Sequence, residues 1–196
     1  LTTKKGYDPA DLLAAGVIGQ HETRGMYDRF RGRVMFPIRN AKGQVVGFGG
    51  RALGDAQPKY LNTPQTMLFD KSHILYGLDR ARDAIRQQDA CIIVEGYVDV
   101  LTAHQHGFRN VVAPLGTALT GGHVALIRKL SHNVYLALDA DAAGQRATLR
   151  GLAALQHSTD ADAPAQTVVA EGGLVHWSND LNLRIIQMPA GSDPDD

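Results

Sequence analysis

In CIIVEG, residues 91–96, an apolar run typical of a buried strand ends at the carboxylate of Glu95. The stretch VYLALDAD, residues 134–141, repeats this arrangement with Asp139 and Asp141. In an open α/β sheet, ligands bind beyond the carboxyl ends of the strands, so the two stretches would bring three carboxylates to one edge. Carboxylates this close repel one another unless a divalent cation lies between them, and Mg²⁺ prefers such oxygen ligands. The pattern therefore predicts metal-assisted phosphoryl chemistry at that edge of the sheet.

The second half of the chain alternates between strand and helix patterns. Strands are predicted at 90–94, 111–114, 134–138 and 183–188, and helices at 97–106, 120–130 and 142–156. Alternation of this kind predicts an α/β fold, with a parallel sheet covered by helices on both faces. Residues 157–181 fit the pattern least well, and within them only 167–170 form a candidate strand.

The first half of the chain has a mixed pattern. A helix is predicted at 7–18, with Asp8 as its N-cap and Gly16 closing it. Two alternating segments, 33–38 and 44–53, predict a hairpin whose turn lies at 40–43. A helix at 76–88 would connect the two halves. This half is therefore expected to be α+β.

Composition excludes several classes of protein. Of the 196 residues, 44% are apolar, which is enough for a packed core. The single cysteine, Cys91, rules out a disulfide framework or a multi-cysteine zinc site within this chain, and its place in an apolar strand predicts inert packing. No apolar run approaches the ~20 residues that cross a bilayer, and no signal peptide is visible. We therefore expect a cytoplasmic protein that does not bind membranes.

The net charge of zero conceals an asymmetry along the chain. Residues 1–88 contain 14 Lys and Arg against 8 Asp and Glu, whereas residues 89–196 contain 6 against 12. A basic half beside an acidic half suits a nucleic-acid track that leads to a metal site. Two domains with different solvated surfaces would give the same numbers, and charge alone does not decide between the two.

Six stretches, taken in order, resemble the motifs of bacterial DnaG-type DNA primases. Three resemble the toprim motifs, two the basic subdomain and one the acidic tail: VEGYVDV (94–100), LGTALT (115–120) and LDADAAG (138–144); DRFRGRVMFPI (28–38) and KYLNTP (59–64); and MPAGSDPD (188–195). The resemblance implies a toprim domain with a Rossmann-like sheet at 89–196, preceded at 1–88 by part of the basic subdomain. The family is normally shorter around 157–181, which implies an insertion there.

The resemblance also assigns roles to particular residues. It implies catalytic roles for Glu95, Asp99, Asp139 and Asp141, and metal binding by Glu95, Asp139, Asp141, Asp193 and Asp195. It further implies contacts to nucleotide or DNA from a basic and polar set: Arg29, Arg31, Arg33, Arg51, Lys59, Tyr60, Asn62 and Lys71. The first three arginines would share one side if their stretch is extended.

The residues themselves leave plainer roles open for most of this set. Asp99 could face the same cleft as Glu95, or it could be an N-terminal salt-bridge partner. A carboxylate near a helix N-terminus is favoured by the helix dipole in any protein, and single surface arginines and lysines are usually solvated. Asp193 and Asp195 could be no more than a polar chain end. Paired carboxylates at a strand end, as in Asp139 and Asp141, are seldom needed for packing.

The function that the resemblance implies is nucleotidyl transfer by a DNA-directed RNA polymerase. Such a primase makes short RNA primers for replication from ribonucleoside triphosphates on a single-stranded DNA template, with Mg²⁺, or Mn²⁺ in its place. The chain is expected to be a monomeric fragment in the bacterial cytoplasm, and the replicative helicase would bind through a domain absent from it. Two alternatives stay open: a toprim nuclease that uses the same carboxylates, and a single-stranded-DNA-binding module whose acidic edge is structural.

Overall fold

The computed structural model of the chain describes residues 5–137, 168–170, 174–176 and 181–186. The chain divides into two compact units, Leu1–Asp70 and Lys71–Asp196. The first unit contains, in chain order, α1 (Pro9–Ala14), β1 (Ile18–His21), β2 (Gly25–Asp28), β3 (Arg33–Arg39), β4 (Val45–Ala52) and β5 (Tyr60–Asn62).

Helix α1 begins as the sequence predicts and ends earlier. Asp8 is the N-cap, and its Oδ1 accepts a hydrogen bond of 2.8 Å from the amide of Ala10. The predicted extension to residue 18 is wrong, because Gly16 takes a φ of +68° and turns the chain. The β-branched Ile18 then starts β1, which pairs antiparallel with β2 in a hairpin that the sequence pattern did not indicate.

Strands β3, β4 and β5 form an antiparallel sheet in that order. The predicted turn at 40–43 is confirmed, with Gly43 at a φ of +81° and its amide donating to the Asn40 carbonyl over 2.9 Å. At Gly47, a side chain would collide with the ring of Phe69 and with Thr63, so glycine lets this fully buried ring lie against the sheet.

The second unit is built on a six-stranded sheet. Its described elements are a 3₁₀ helix (Lys71–His73), α2 (Leu78–Gln88), β6 (Cys91–Ile93), α3 (Tyr97–Gln105), β7 (Val111–Val112), α4 (Gly121–Arg128), β8 (Asn133–Ala137), β9 (Val168–Ala170), β10 (Leu174–His176) and β11 (Asn182–Ile186). The strand order is β7-β6-β8-β11-β10-β9, and the first four strands run parallel. Strands β10 and β9 add an antiparallel extension. The four predicted parallel strands and the candidate strand at 167–170 are confirmed, whereas β10 was not predicted.

Helices cover both faces of the parallel sheet, as predicted. Along β6, Cys91 and Ile93 point into a core shared with Ala81 and Ile85 of α2 and with Ile127 of α4. The residues between and after them, Ile92 and Val94, face the other way, toward Val100 and Ala103 of α3. Because side chains alternate along a strand, α2 and α4 lie on one face and α3 on the other. The predicted helix at 142–156 lies outside the described residues.

A single carboxylate ties the end of α2 to the start of β8. Asp89 takes a φ of +44°, and its Oδ1 accepts hydrogen bonds from Ser131 Oγ (3.0 Å) and the His132 amide (3.3 Å). Its Oδ2 accepts from Asn133 Nδ2 at 2.9 Å. This residue therefore fixes where β8 enters the sheet. None of the helices in the described part of the chain has the length and hydropathy of a membrane span.

Candidate active site and nucleic-acid interface

Glu95 lies at the carboxyl edge of the parallel sheet. It comes two residues after β6, and its side chain is exposed. Strands β6 and β8 are parallel neighbours with Ile93 opposite Leu136, so they end at the same edge. The structure therefore places Glu95 beside the end of the strand that precedes Asp139 and Asp141 in the sequence.

Asp99 is engaged in a helix cap. Its side chain is only 9% exposed, and its Oδ2 accepts a hydrogen bond of 2.8 Å from the amide of Gly96, the N-cap residue of α3. An amide at a helix N-terminus has no partner within the helix, so this contact satisfies a donor that would otherwise be lost from water. Of the two roles that the sequence left open, the contact favours a structural one at the first turn.

Two aromatic rings pack beneath the turn that carries Glu95. The rings of Tyr76 and Tyr97 meet edge to face, with centroids 4.7 Å apart. Burial raises the pKa of Tyr76; the Arg80 guanidinium lowers it and the Asp79 carboxylate raises it by smaller amounts. The phenol therefore stays protonated at neutral pH. The sequence pattern gave no signal for this pair, since Tyr76 was assigned to the start of a helix.

Lys71 reaches the same edge of the second unit. The Tyr76 amide donates to the Ala113 carbonyl (2.8 Å) and the Ala113 amide to the Tyr76 carbonyl (3.2 Å), an antiparallel bridge just after β7. Because this segment runs against β7, the residues before Tyr76 lie beyond the carboxyl end of that strand. Lys71 begins the 3₁₀ helix there, and its carbonyl lies 2.7 Å from Nε2 of the buried His123.

In the first unit, the register of the sheet places several predicted nucleic-acid residues on one face. Val34, Arg51 and Tyr60 lie directly opposite one another across β3, β4 and β5, and all three are exposed. Asn62 follows Tyr60 by two residues and therefore points to the same side. The Lys59 ammonium lies 5.9 Å from the centre of the Tyr60 ring. We call Arg51, Lys59, Tyr60 and Asn62 the basic face.

Arg33 does not belong to the basic face. It lies opposite Ala52, one residue out of step with Arg51, so its side chain points to the other side of the sheet. Its Nη1 donates hydrogen bonds to the carbonyls of Pro58 (2.8 Å) and Gly50 (3.3 Å). These contacts hold the segment before β5 in place, which is a structural role.

The stretch before β3 is not extended, so the expected alignment of Arg29, Arg31 and Arg33 is wrong. Residues 29–32 form a bend and a turn, and Gly32 takes a φ of +61°. The amide of Arg29 donates to the Val17 carbonyl over 3.2 Å, and its Nε is buried without a hydrogen-bond partner among the described residues. Arg31 is exposed. A glycine in the left-handed region interrupts the strand that the alternation of charges had indicated.

The remaining predicted ligands, Asp139, Asp141, Asp193 and Asp195, lie outside the described residues. Within the described part of the chain, no three His, Cys, Asp or Glu side chains gather into a group that could hold a metal ion. Glu95 offers an exposed carboxylate of the type that Mg²⁺ prefers, but a complete site needs further oxygen ligands. The sequence supplies them two and four residues after β8 ends at Ala137.

Two family models match the chain. The N-terminal domain of the DNA primase catalytic core covers residues 1–82, and the toprim domain covers residues 89–163. The sheet, with its glutamate beyond the central strand, is therefore the sheet of a toprim protein. The chain belongs to the family of DnaG-type DNA primases, within their catalytic core, as the sequence motifs indicated. The domain boundary at residue 88 stays a prediction, since the compact units divide after residue 70.

Similar proteins cover much more than this chain. The DNA primase of Deinococcus radiodurans is 51% identical over 154 residues, which are 78% of this chain and 27% of that protein. A DNA primase domain from Pseudomonas aeruginosa has a TM-score of 0.80 and 38% identity, over 97% of this chain and 55% of that one. A DnaG primase catalytic domain bound to single-stranded DNA has a TM-score of 0.78 and 38% identity, over 99% and 56%. The toprim and primase families are metal-dependent.

Proposed function

We propose that this chain is part of the catalytic core of a DNA primase, which synthesises short RNA primers on single-stranded DNA. The observation that carries the proposal is the meeting of Glu95 and Lys71 at one edge of a toprim sheet. That edge is also where β8 ends, two residues before Asp139. Carboxylates that bind a metal and a lysine that binds phosphate are the two components that nucleotidyl transfer requires.

In this reaction, the primer 3′-hydroxyl forms a bond to the α-phosphorus of a ribonucleoside triphosphate, while the bond to the pyrophosphate leaving group breaks. Mg²⁺, or Mn²⁺ in its place, would neutralise charge on the phosphates when bound by Glu95, Asp139 and Asp141, with Asp193 and Asp195 as further ligands. Lys71 neutralises triphosphate charge from its place on the 3₁₀ helix. Glu95 is also placed to accept the proton of the attacking hydroxyl.

The basic face is proposed to bind the template. Arg51 and Lys59 contact phosphates without preference for base, and the exposed Tyr60 ring offers a surface on which a base can stack. The similar DnaG catalytic domain bound to single-stranded DNA supports this assignment. Helicase binding, the monomeric state and the bacterial cytoplasm stay predictions.

The test is calorimetric titration of Mn²⁺ or Mg²⁺ into the protein, with and without a ribonucleoside triphosphate. Asp139→Asn/Asp141→Asn should abolish the metal binding that the triphosphate strengthens, and leave binding of a single-stranded oligonucleotide unchanged. The chain offers a matched control, since DADA occurs at 139–142 and again at 160–163. Asp160→Asn/Asp162→Asn should behave like the wild type. Equal metal binding by all three proteins, or none, would leave only the DNA-binding role.

A further inference from the structure

A buried histidine holds the backbone at Lys71. His123 is the third residue of α4 and is 0% exposed. Its Nδ1 lies 3.2 Å from the Thr120 amide, and its Nε2 lies 2.7 Å from the Lys71 carbonyl. Because an amide can only donate and a carbonyl can only accept, Nδ1 is unprotonated and Nε2 carries the proton. The neutral ring therefore joins the N-terminus of α4 to the 3₁₀ helix.

Two further contacts seat the 3₁₀ helix on the same turn. The Thr120 hydroxyl accepts a hydrogen bond of 3.2 Å from the His123 amide and donates one to the Ser72 carbonyl. At Gly122, a side chain would collide with that same carbonyl and with the ring of His73. Residues 120–123 thus form a cradle, which we name the 120–123 cradle, that fits the backbone of residues 71–73 and nothing larger.

From these contacts we infer that His123 is a positioning residue, which fixes the Lys71 ammonium toward the phosphates of the incoming ribonucleoside triphosphate. The inference rests on the proposed function. A lysine side chain is long and flexible, so a defined position for its ammonium depends on a fixed backbone. Small misplacements of a group that binds a reacting phosphate cost rate and affinity steeply.

The triphosphate, rather than the template, is the ligand that the position of Lys71 favours. Lys71 lies in the second unit at the sheet edge that carries Glu95, whereas the basic face belongs to the first unit. Arginine and lysine on the basic face already provide sequence-independent phosphate contacts for a strand. A lysine beside the candidate metal edge suits the concentrated charge of a triphosphate.

Two substitutions separate the two bonds of the His123 ring. In His123→Asn, the amide oxygen occupies nearly the place of Nδ1, so the bond to Thr120 can persist while the one to Lys71 is lost. In His123→Gln, the longer side chain places an N–H near the position of Nε2 and can restore the bond to Lys71. Gly122→Ala provides an independent disturbance, because it pushes the 3₁₀ helix off the 120–123 cradle without touching the ring.

The experiment measures three quantities for each variant: the Kd for ATP with Mg²⁺ by calorimetry, the Kd for a fluorescein-labelled single-stranded oligonucleotide by anisotropy, and the Tm. Lys71→Ala, His123→Asn and Gly122→Ala should each weaken ATP binding about tenfold, which is the scale of one charged hydrogen bond. His123→Gln should recover most of the loss. Oligonucleotide binding should be unchanged in all of them. His106→Asn, which changes an exposed histidine at the end of α3, serves as the control.

The double variant Lys71→Ala/His123→Asn distinguishes positioning from mere stability. If His123 acts through Lys71, the double variant should bind ATP no more weakly than Lys71→Ala alone. Additive losses, or equal losses toward ATP and oligonucleotide, would overturn the inference. If Lys71→Ala weakens ATP binding and both His123→Asn and Gly122→Ala do not, the inference fails and the proposed function stands. No ATP binding by the wild type, or none lost in Lys71→Ala, would overturn both.

Discussion

Glu95 and Asp99 are four residues apart, yet their carboxylates lie in different surroundings. Glu95 is exposed at the sheet edge, whereas Asp99 is nearly buried and accepts the Gly96 amide. The difference arises because α3 begins at once after Gly96, which turns Asp99 back onto the first turn. At the scale of single residues, sequence spacing alone could not separate a ligand from a cap.

Substitutions should separate the two carboxylates. Asp99→Ala should lower the free energy of unfolding by about 1 kcal/mol, because the Gly96 amide loses its acceptor. Asp99→Asn keeps an oxygen that can accept this bond, so stability and Mn²⁺ affinity should both stay near the wild type. Glu95→Gln should do the reverse, with unchanged stability and weakened Mn²⁺ binding. Urea unfolding and Mn²⁺ calorimetry measure these effects. A loss of Mn²⁺ affinity in Asp99→Asn as large as in Glu95→Gln would show that Asp99 is a ligand.

Cys91 should destabilise the protein at high pH. Burial raises the pKa of its thiol from 9.0 to about 12. Above pH 9 the unfolded thiol loses its proton while the folded one keeps it, so the unfolded state binds fewer protons and stability falls as the pH rises. The loss should reach at most roughly 1.4 kcal/mol per pH unit between pH 9 and 12. Urea unfolding of wild type and Cys91→Ala at pH 8 to 11 measures the difference. Parallel curves throughout would contradict it.

At the scale of elements, the join between α2 and β8 depends on Asp89. Asp89→Ala should lower the free energy of unfolding by about 2–3 kcal/mol, because the nearly buried Ser131 hydroxyl and two further donors lose their acceptor. A matched control is Asp83→Ala on the same helix. Asp83 pairs only with Arg82 at the surface, so its loss should cost less than about 0.5 kcal/mol. Equal losses in the two variants, measured by urea unfolding, would refute this role for Asp89.

The elements that could be predicted from sequence are those with a strong local signal. Strand β6 is a continuous apolar run, α2 has an apolar face at helical spacing, and the turn at 40–43 ends in a glycine. The hairpin of β1 and β2 was missed, since all of β2 is exposed and carries no pattern of burial. At Gly32, a positive φ ended an extended stretch that alternating arginines had indicated. A backbone angle of this kind leaves little trace in side-chain patterning.

At the scale of the whole molecule, charge separates along the sequence, and the basic face belongs to the positive half. Arg51→Ala and Lys59→Ala should each reduce the slope of log K against log salt for single-stranded DNA by about 0.7, one phosphate contact each. Tyr60→Ala should weaken binding at every salt concentration with the slope unchanged, because stacking releases no counterion. Lys42→Ala, in the exposed turn at 40–43, is the control and should change neither. A slope that Arg51→Ala and Lys59→Ala leave unaltered would exclude the basic face as the template track.

The candidate site could be predicted from sequence wherever chain order determines spatial order. Consecutive parallel strands end at one edge, so a carboxylate after β6 and a pair after β8 were expected together. The links between distant segments were not predictable. Nothing near Lys71 in the sequence indicates that His123, 52 residues later, accepts its backbone as a partner. Contacts of this kind depend on tertiary packing rather than on local pattern.

Strand β6 is covered on both faces, and this restricts how the gene can change. Adding or removing one residue between 91 and 94 would exchange the side chains facing α2 with those facing α3. The same shift would turn Glu95 away from its present side of the edge. Descendants of this sequence can therefore vary here by substitution but not by length. Insertions and deletions should be confined to the loops that follow Glu95 and to the connections farther along the chain.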